Sequence, residues 1–408
     1  MASVRPLHAW LPPEDRAAAI ASVPYDVIDS REARALVEGK PDSFLHVIRP
    51  EVDLEAGIDL YSDPVYAKAA ENLDRWIQRM PYTPTPEPAL FVYRLIRADH
   101  TQIGVVGACS VDEYDAGRIA IHEKTRQNKE DDRTRHVVTM RCQAEPIFLA
   151  YRGQEAIDGT VAEIVRGTPR FDFVAEDGVQ HTLWDVPEPD RLSALFEAVP
   201  MLYVADGHHR AKSASRARAE LVARAEARGE EITGEESFHR VLAVVFPDDQ
   251  LAILPYNRVV TDLGGRTPQE ALDAIAAIAP LTPTDDPAPP SHHDIVVYGA
   301  GQWHRFTLAP TGDGAVDTLD VTLLQEQVLE PLFGIADPRT DDRIDFVGGI
   351  RGTAELERRA DECHGLAFSM FPTSMAELFS VADSGAIMPP KSTWFEPKLR
   401  SGMFLHRI

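Results

Sequence analysis

An α/β fold with mixed sheets is the architecture this chain predicts, and three observations predict it. Short apolar runs, such as residues 145–151 and 199–204, alternate with segments of helical spacing. Turn-type residues join several pairs of runs into hairpins. A long Ala/Arg/Glu-rich stretch, 211–228, follows one apolar run across a short polar junction, as in a strand–turn–helix unit.

Taken in order, Val65, Ala69, Leu73 and Trp76 place a helix over 64–79. A Pro-rich stretch from Pro81 to Pro88 then interrupts the chain. Residues 89–97 and 102–110 read as strands joined by Ala98-Asp99-His100. Residues 122–143 are dense in mixed charge, which suits a solvated helix face and equally a ligand-binding segment. A strand over 145–151 and a short helix over 159–165 follow. Residues 171–175 and 180–185 flank Glu176-Asp177-Gly178, a good hairpin turn. A helix over 189–199 feeds the strand before Asp206. The long helix 211–228 ends near Gly229. Residues 239–246 and 251–260 read as a hairpin around Pro247-Asp248-Asp249.

Beyond that point come turns at 262–268, a helix over 269–279 and a Pro-rich linker at 280–293. A hairpin of 295–298 with 303–308 precedes a helix over 319–332. A strand at 345–349, a helix at 354–364, a strand at 366–371 and a helix at 374–384 complete the pattern. A boundary near 260 gives an N-terminal α/β region, 1–260, and a C-terminal α/β region, 261–408.

At 408 residues, 44% hydrophobic and 26% charged, the chain has the composition of a globular enzyme with a sizeable core. The net charge of −24 argues against general nucleic-acid binding, which needs a basic face. No apolar h-region opens the chain and no run is long enough to span a membrane. Cys109, Cys142 and Cys363 are odd in number and far apart, so neither a disulfide framework nor a zinc knuckle is indicated. A cytoplasmic location is the expectation.

Four constellations carry candidate chemistry. Asp206-Gly207-His208-His209-Arg210 puts a carboxylate, two imidazoles and a guanidinium at a strand-to-helix junction. Backbone N–H groups and the helix dipole favour an anion there, and an Arg can clamp it bidentately. Asp206 is a candidate proton acceptor or Mg²⁺ ligand, and the two histidines are candidate proton carriers or phosphate donors. The structural alternative is an N-cap Asp with a turn glycine and two surface histidines. Glu123, Lys124 and Arg126 form a second group. The third is the strap 388–398, where Lys391, Ser392, Thr393 and Lys398 could line a phosphate site. It lacks the upstream Gly-x4-Gly of a P-loop. The fourth places Tyr25, Asp26, Arg49 and Glu51 near a ligand.

The segments SVPYDVI, HVIRPE, IHEKTR with DDRTRH, EPIFLAY, ADGHHRAKSA and MPPKSTWFEPKLRSGM resemble the domain of unknown function 1015 family, from about residue 4 to the C-terminus. The DGHHR element is similar to the signature of ADP-dependent free-serine kinases, within the ParB/sulfiredoxin-like fold group. That likeness covers 199 to about 260. It implies that Asp206, His208, His209 and Arg210 contact phosphates and metal, with Mg²⁺ and ATP or ADP as cofactors. It also implies a carboxylate base from a separate segment, for which Glu123, Asp26 and Glu51 are candidates.

The reading that follows is a nucleotide-dependent phosphotransferase acting on a small hydroxyl metabolite such as free serine. Two alternatives stand beside it: a ParB-like nucleotide-binding switch, and a metal-dependent phosphohydrolase using Asp206, His208 and His209. A small-molecule substrate and a nucleotide are the expected partners, without nucleic acid or membrane; an oligomer is compatible with the sequence.

Overall fold

A computed structural model describes residues 2–79 and 82–408. Pro81, where the Pro-rich stretch begins, lies outside the described residues. The chain forms two compact units. The first takes the described residues up to Ile121, then Thr125–Leu251 and Pro397–Ile408; the second takes His122–Lys124 and Ala252–Glu396. The chain therefore changes unit between Leu251 and Ala252, and returns to the first unit at Pro397. Both units are α/β with mixed strand and helix content, the predicted class.

The first unit is built on a nine-stranded mixed sheet. At its centre Arg240–Pro247 lies parallel to Ile147–Tyr151 and antiparallel to His100–Ser110. Every residue of that strand after Arg240 is buried, which explains its unbroken apolar run: both faces are covered. Leu202–Asp206 lies beyond Ile147–Tyr151, antiparallel to it. On the other side follow Phe91–Arg97, Gln180–Asp185 and Phe171–Val174, each antiparallel to its neighbour. Gly104 is required by packing here. A Cβ would sit 2.7 Å from the Phe246 ring on the adjacent strand.

The helix His208–Ala227 lies against this sheet. It buries Ala211, Ala214, Ala217, Leu221 and Ala225, a stripe of small residues at helical spacing. Ala211 and Ala214 join the core of Val204 and Val241, while Ala217 and Leu221 pack with Val138 and Phe238.

The charged stretch predicted at 122–143 contains the helix Gln127–Met140, and a solvated face is not what its inner side provides. Glu130, Asp132, Arg133 and His136 are buried. Some of their partners are local and others come from distant sequence. The Tyr66 hydroxyl donates to Asp132 (2.8 Å), Arg133 pairs with Asp132 (2.9 Å), and Arg216 pairs with Glu130 (3.2 Å).

In the second unit six antiparallel strands form one sheet, with Tyr256–Val260 between Ile344–Gly348 and Leu366–Ser369. The expected hairpin of 239–246 with 251–260 does not form. The first run is central to the nine-stranded sheet, whereas Ala252–Leu254 pairs with Trp394–Glu396 and Tyr256–Val260 enters the second unit's sheet. The hairpin of Asp294–Gly299 with Gln302–Thr307 forms as predicted. Among the described residues no helix is long and apolar enough to cross a membrane.

Candidate functional site

The polar junction is set by three local features. The pairing of Leu202–Asp206 with Ile147–Tyr151 shifts register between Val204 and Asp206, which re-aims the carboxylate. Gly207 then takes φ +93° as the cap of the long helix. Only glycine adopts that conformation cheaply, and a Cβ would lie 2.9 Å from the Arg210 Nε. The guanidinium thus folds back over the turn.

Asp206 accepts from the Gly207 N–H (2.8 Å) and from the Lys398 ammonium (3.1 Å), and Arg210 lies 3.5 Å away. Burial pushes the Asp206 carboxyl up, but Lys398 and then Arg210 outweigh it and hold it well below the usual carboxylate range. Lys398, predicted from the strap, is therefore a true neighbour of Asp206. Arg210 is buried and donates to the Pro146 carbonyl (2.6 Å). Its Nε is sealed from solvent without a hydrogen-bond partner. Burial opposes its charge, yet Asp206, Asp26 and Glu145 together raise its affinity for the proton.

The two histidines differ. His208 is buried, and burial drives it down to about 3 against the pull of Asp206, so it is neutral at pH 7. His209 accepts the Arg126 backbone N–H at Nε2 (3.1 Å), so its proton resides on Nδ1. This bond ties Arg126, which caps the helix Gln127–Met140, to the Asp206 turn. Joint ligation of a metal by Asp206, His208 and His209 is not supported: among the described residues no three His, Cys, Asp or Glu side chains form a metal-holding group. Asp206 is moreover committed to two cations, which leaves no fit for a resident Mg²⁺.

Tyr25 and Asp26 lie in the electrostatic reach of Arg210. The Tyr25 ring stacks under Arg133 (4.2 Å), and burial, then Asp26, keeps its hydroxyl protonated. Arg49 holds the loop instead of presenting an open donor. Its nitrogens bond the carbonyls of Tyr25 (2.8 Å) and Ile28 (2.6 Å), the Ser30 hydroxyl (2.9 Å) and Glu51 (2.7 Å).

Glu145 was not singled out in the sequence. It is a carboxylate raised by burial, with Arg133 and Arg210 opposing, and it accepts from the Tyr25 N–H (3.3 Å) and the Ser401 hydroxyl (3.2 Å). Its only sequence signal is its place at the head of the 145–151 run.

Glu123, Lys391, Ser392 and Thr393 belong to the second unit. There Lys391 sits at φ +58° with its ammonium 5.5 Å above the Tyr256 ring. The Ser392 hydroxyl donates to the Pro389 carbonyl (2.6 Å), and Thr393 Oγ1 lies 3.4 Å from His122 Nε2. The strap is thus divided: Lys398 serves the first unit and Lys391, Ser392 and Thr393 the second.

Comparison with curated proteins finds no similar sequence. Among solved structures, a free serine kinase in complex with AMP is 14% identical, covering 73% of this chain and 91% of its own, with a TM-score of 0.35. SbnI from Staphylococcus aureus, with a C-terminal truncation, is 12% identical, covering 72% and 85%, with a TM-score of 0.37. A conserved hypothetical protein from Pyrococcus furiosus is 14% identical, covering 73% and 93%, at 0.34. These superpositions are too loose to carry a residue's role across. The family pattern is much firmer, since it matches residues 4–322: the chain belongs to the DUF1015 family, proteins of unknown function.

Proposed function

We propose that the chain is a nucleotide-dependent phosphotransferase acting on a small hydroxyl metabolite, free serine being the first candidate. The observation that carries the reading is Arg210. It is a buried guanidinium with an unpartnered Nε, folded over a glycine turn at the start of a 20-residue helix. A buried charge with an unused donor is costly unless an anion completes it. First-turn N–H groups and the helix dipole reinforce an anion at the same place.

Phosphoryl transfer needs chiefly positioning and charge compensation. Arg210 and Lys398 supply positive charge around the phosphates, and Arg126 is the cation on the adjoining cap. His208, neutral and buried, offers a nitrogen that stays unprotonated at pH 7. Asp206 keeps Lys398 and Arg210 in place. Mg²⁺ then arrives with the nucleotide as part of the substrate. Tyr25 and Asp26, in the electrostatic reach of Arg210, are proposed substrate contacts.

The test is direct. Purified protein with ATP or ADP, Mg²⁺ and serine should yield phosphoserine by ³¹P NMR. Asp206→Ala should abolish turnover. Absence of transfer from any nucleotide across a panel of hydroxyl metabolites sinks the proposal. Calorimetric nucleotide binding with no transfer would favour the ParB-like switch.

A further inference from the structure

Glu145 shares its surroundings with two buried guanidinium groups, and the phosphate turn uses one of them. Glu145, Arg133 and Arg210 line one small cavity of about 30 Å³ in the first unit. Glu145 Oε1 accepts from the Tyr25 N–H (3.3 Å) and the Ser401 hydroxyl (3.2 Å). Its Oε2 lies 3.8 Å from Arg133 Nη1, an ion pair too long for a hydrogen bond. Arg133 Nη1 and Arg210 Nε are both sealed from solvent without a hydrogen-bond partner. Arg210 connects Glu145 to the turn. Its Nη1 donates to the carbonyl of Pro146, the next residue after Glu145, while its Nε lies against Gly207. Burial pushes the Glu145 carboxyl up, and Arg133 and then Arg210 pull it back. The other titratable groups around it are Asp26, Tyr25, His136 and Cys142. Burial keeps the Tyr25 hydroxyl protonated, drives His136 well down so that it is neutral, and pushes the Cys142 thiol up to about 12. Farther out, Asp132 is paired with Arg133 and Asp206 with Arg210.

We propose that anion binding at the Asp206 turn is proton-coupled: a tetrahedral dianion, such as a terminal phosphate, binds at Arg210 together with one proton, which Glu145 takes from solvent. The coupling rests on the phosphate-binding reading of that turn and follows from charge. A dianion at Arg210 cancels part of the field that keeps Glu145 ionised, so the carboxyl takes up a proton more readily. By linkage the converse holds to the same extent: affinity for the dianion rises as pH falls through the Glu145 titration. A neutral Glu145 also frees Arg133 and Arg210 from a competing carboxylate. The proton enters on Oε2, the oxygen that accepts neither printed-chain donor of Oε1, and the cavity has room for about one water to accept from it. Asp26 is the poorer proton acceptor, because it is exposed and its charge stays in water.

Sulfate is the probe, because it is a tetrahedral dianion that does not itself titrate near neutrality. Calorimetry of the full chain in two buffers of different ionisation enthalpy reads the protons taken up per sulfate bound. The unmodified protein should take up a proton fraction approaching one, and should bind sulfate roughly threefold or more tightly at about pH 5.5 than at about pH 7.5. Glu145→Gln keeps an oxygen for Tyr25 and Ser401. It should bind sulfate without proton uptake, with affinity constant to within about twofold over the same range. Asp26→Asn should retain the uptake. The infrared difference spectrum of the unmodified protein should gain a protonated-carboxyl band with sulfate, which decides the matter where Glu145→Gln fails to fold. Sulfate binding without proton uptake, uptake that survives in Glu145→Gln, uptake lost in Asp26→Asn, or a missing carboxyl band overturns the coupling and leaves the phosphate site standing. Absence of sulfate binding at either pH overturns the anion site itself, and the coupling with it.

Discussion

Two residues define the chemistry of the turn, and each carries a measurable consequence. Gly207 combines φ +93° with a close approach to Arg210, so Gly207→Ala pays twice. The left-handed backbone costs about 1–2 kcal/mol, and the new methyl group displaces the guanidinium. Gly229, at φ +73° with nothing near its Cβ position, isolates the backbone cost. Urea midpoints should fall for both alanine variants, but nucleotide affinity only for Gly207→Ala. Equal loss of affinity in both would refute the placement of Arg210. Lys398 makes the second case. Because it helps hold the Asp206 carboxyl down, the pair stabilises the fold above the usual carboxylate range, and that stability is lost as pH falls through the depressed folded value. Lys398→Met should therefore cost about 1–2 kcal/mol at neutral pH, Arg210 remaining as a partial partner. The difference should shrink in strong acid as Asp206 protonates. A gap that is constant with pH means that Lys398 contributes packing alone.

The long helix joins the site to the core through its small-residue stripe. Ala214 is buried against the nine-stranded sheet, so Ala214→Leu should overpack the interface and destabilise by about 1–3 kcal/mol. Ala219, exposed on the same helix, should accept leucine within about 0.5 kcal/mol. Chemical denaturation of the pair checks both, and equal effects would contradict the stripe. The helix itself was legible in the sequence as a continuous Ala/Arg/Glu-rich run, because helix propensity is a local property. So were the hairpins at Phe171–Val174 with Gln180–Asp185 and at Asp294–Gly299 with Gln302–Thr307, whose turns lie between adjacent runs. The runs on either side of Pro247-Asp248-Asp249 had the same local signature, yet they belong to different sheets. Nothing within a few residues encodes that choice. The buried charges of Gln127–Met140 escaped for the same reason: Tyr66 and Tyr25, which make burial tolerable, lie more than 60 residues away. Of the candidate site, the Asp206 turn was readable as a contiguous motif. Glu145 and the loop-holding role of Arg49 depend on partners that only the folded chain brings close.

At the scale of the molecule, the first unit is closed by the last residues of the chain. Pro397–Ile408 returns to it after the whole of the second unit has been made. Leu405–Arg407 pairs with Ala9–Leu11 and Cys142–Gln143 in a small sheet, and the Tyr82 hydroxyl donates to the Gly402 carbonyl (2.5 Å). Leu399, Met403, Phe404 and Leu405 are all essentially buried. Burial of each contributes about 1.5–3 kcal/mol, so the four together supply roughly 6–12 kcal/mol. That sum is comparable to the net stability of an ordinary domain, about 5–15 kcal/mol. The segment also carries Lys398 to Asp206 and Ser401 to Glu145, so it cannot be an inert tail. A chain ending at Glu396 should accumulate in the insoluble fraction, whereas full-length Lys398→Met stays soluble, because that substitution removes a charge and leaves the apolar contacts. Soluble truncated protein with a cooperative unfolding transition would show instead that the first unit closes without its C-terminal strand. The two variants separate the role of this segment as core from its role as a source of site charge.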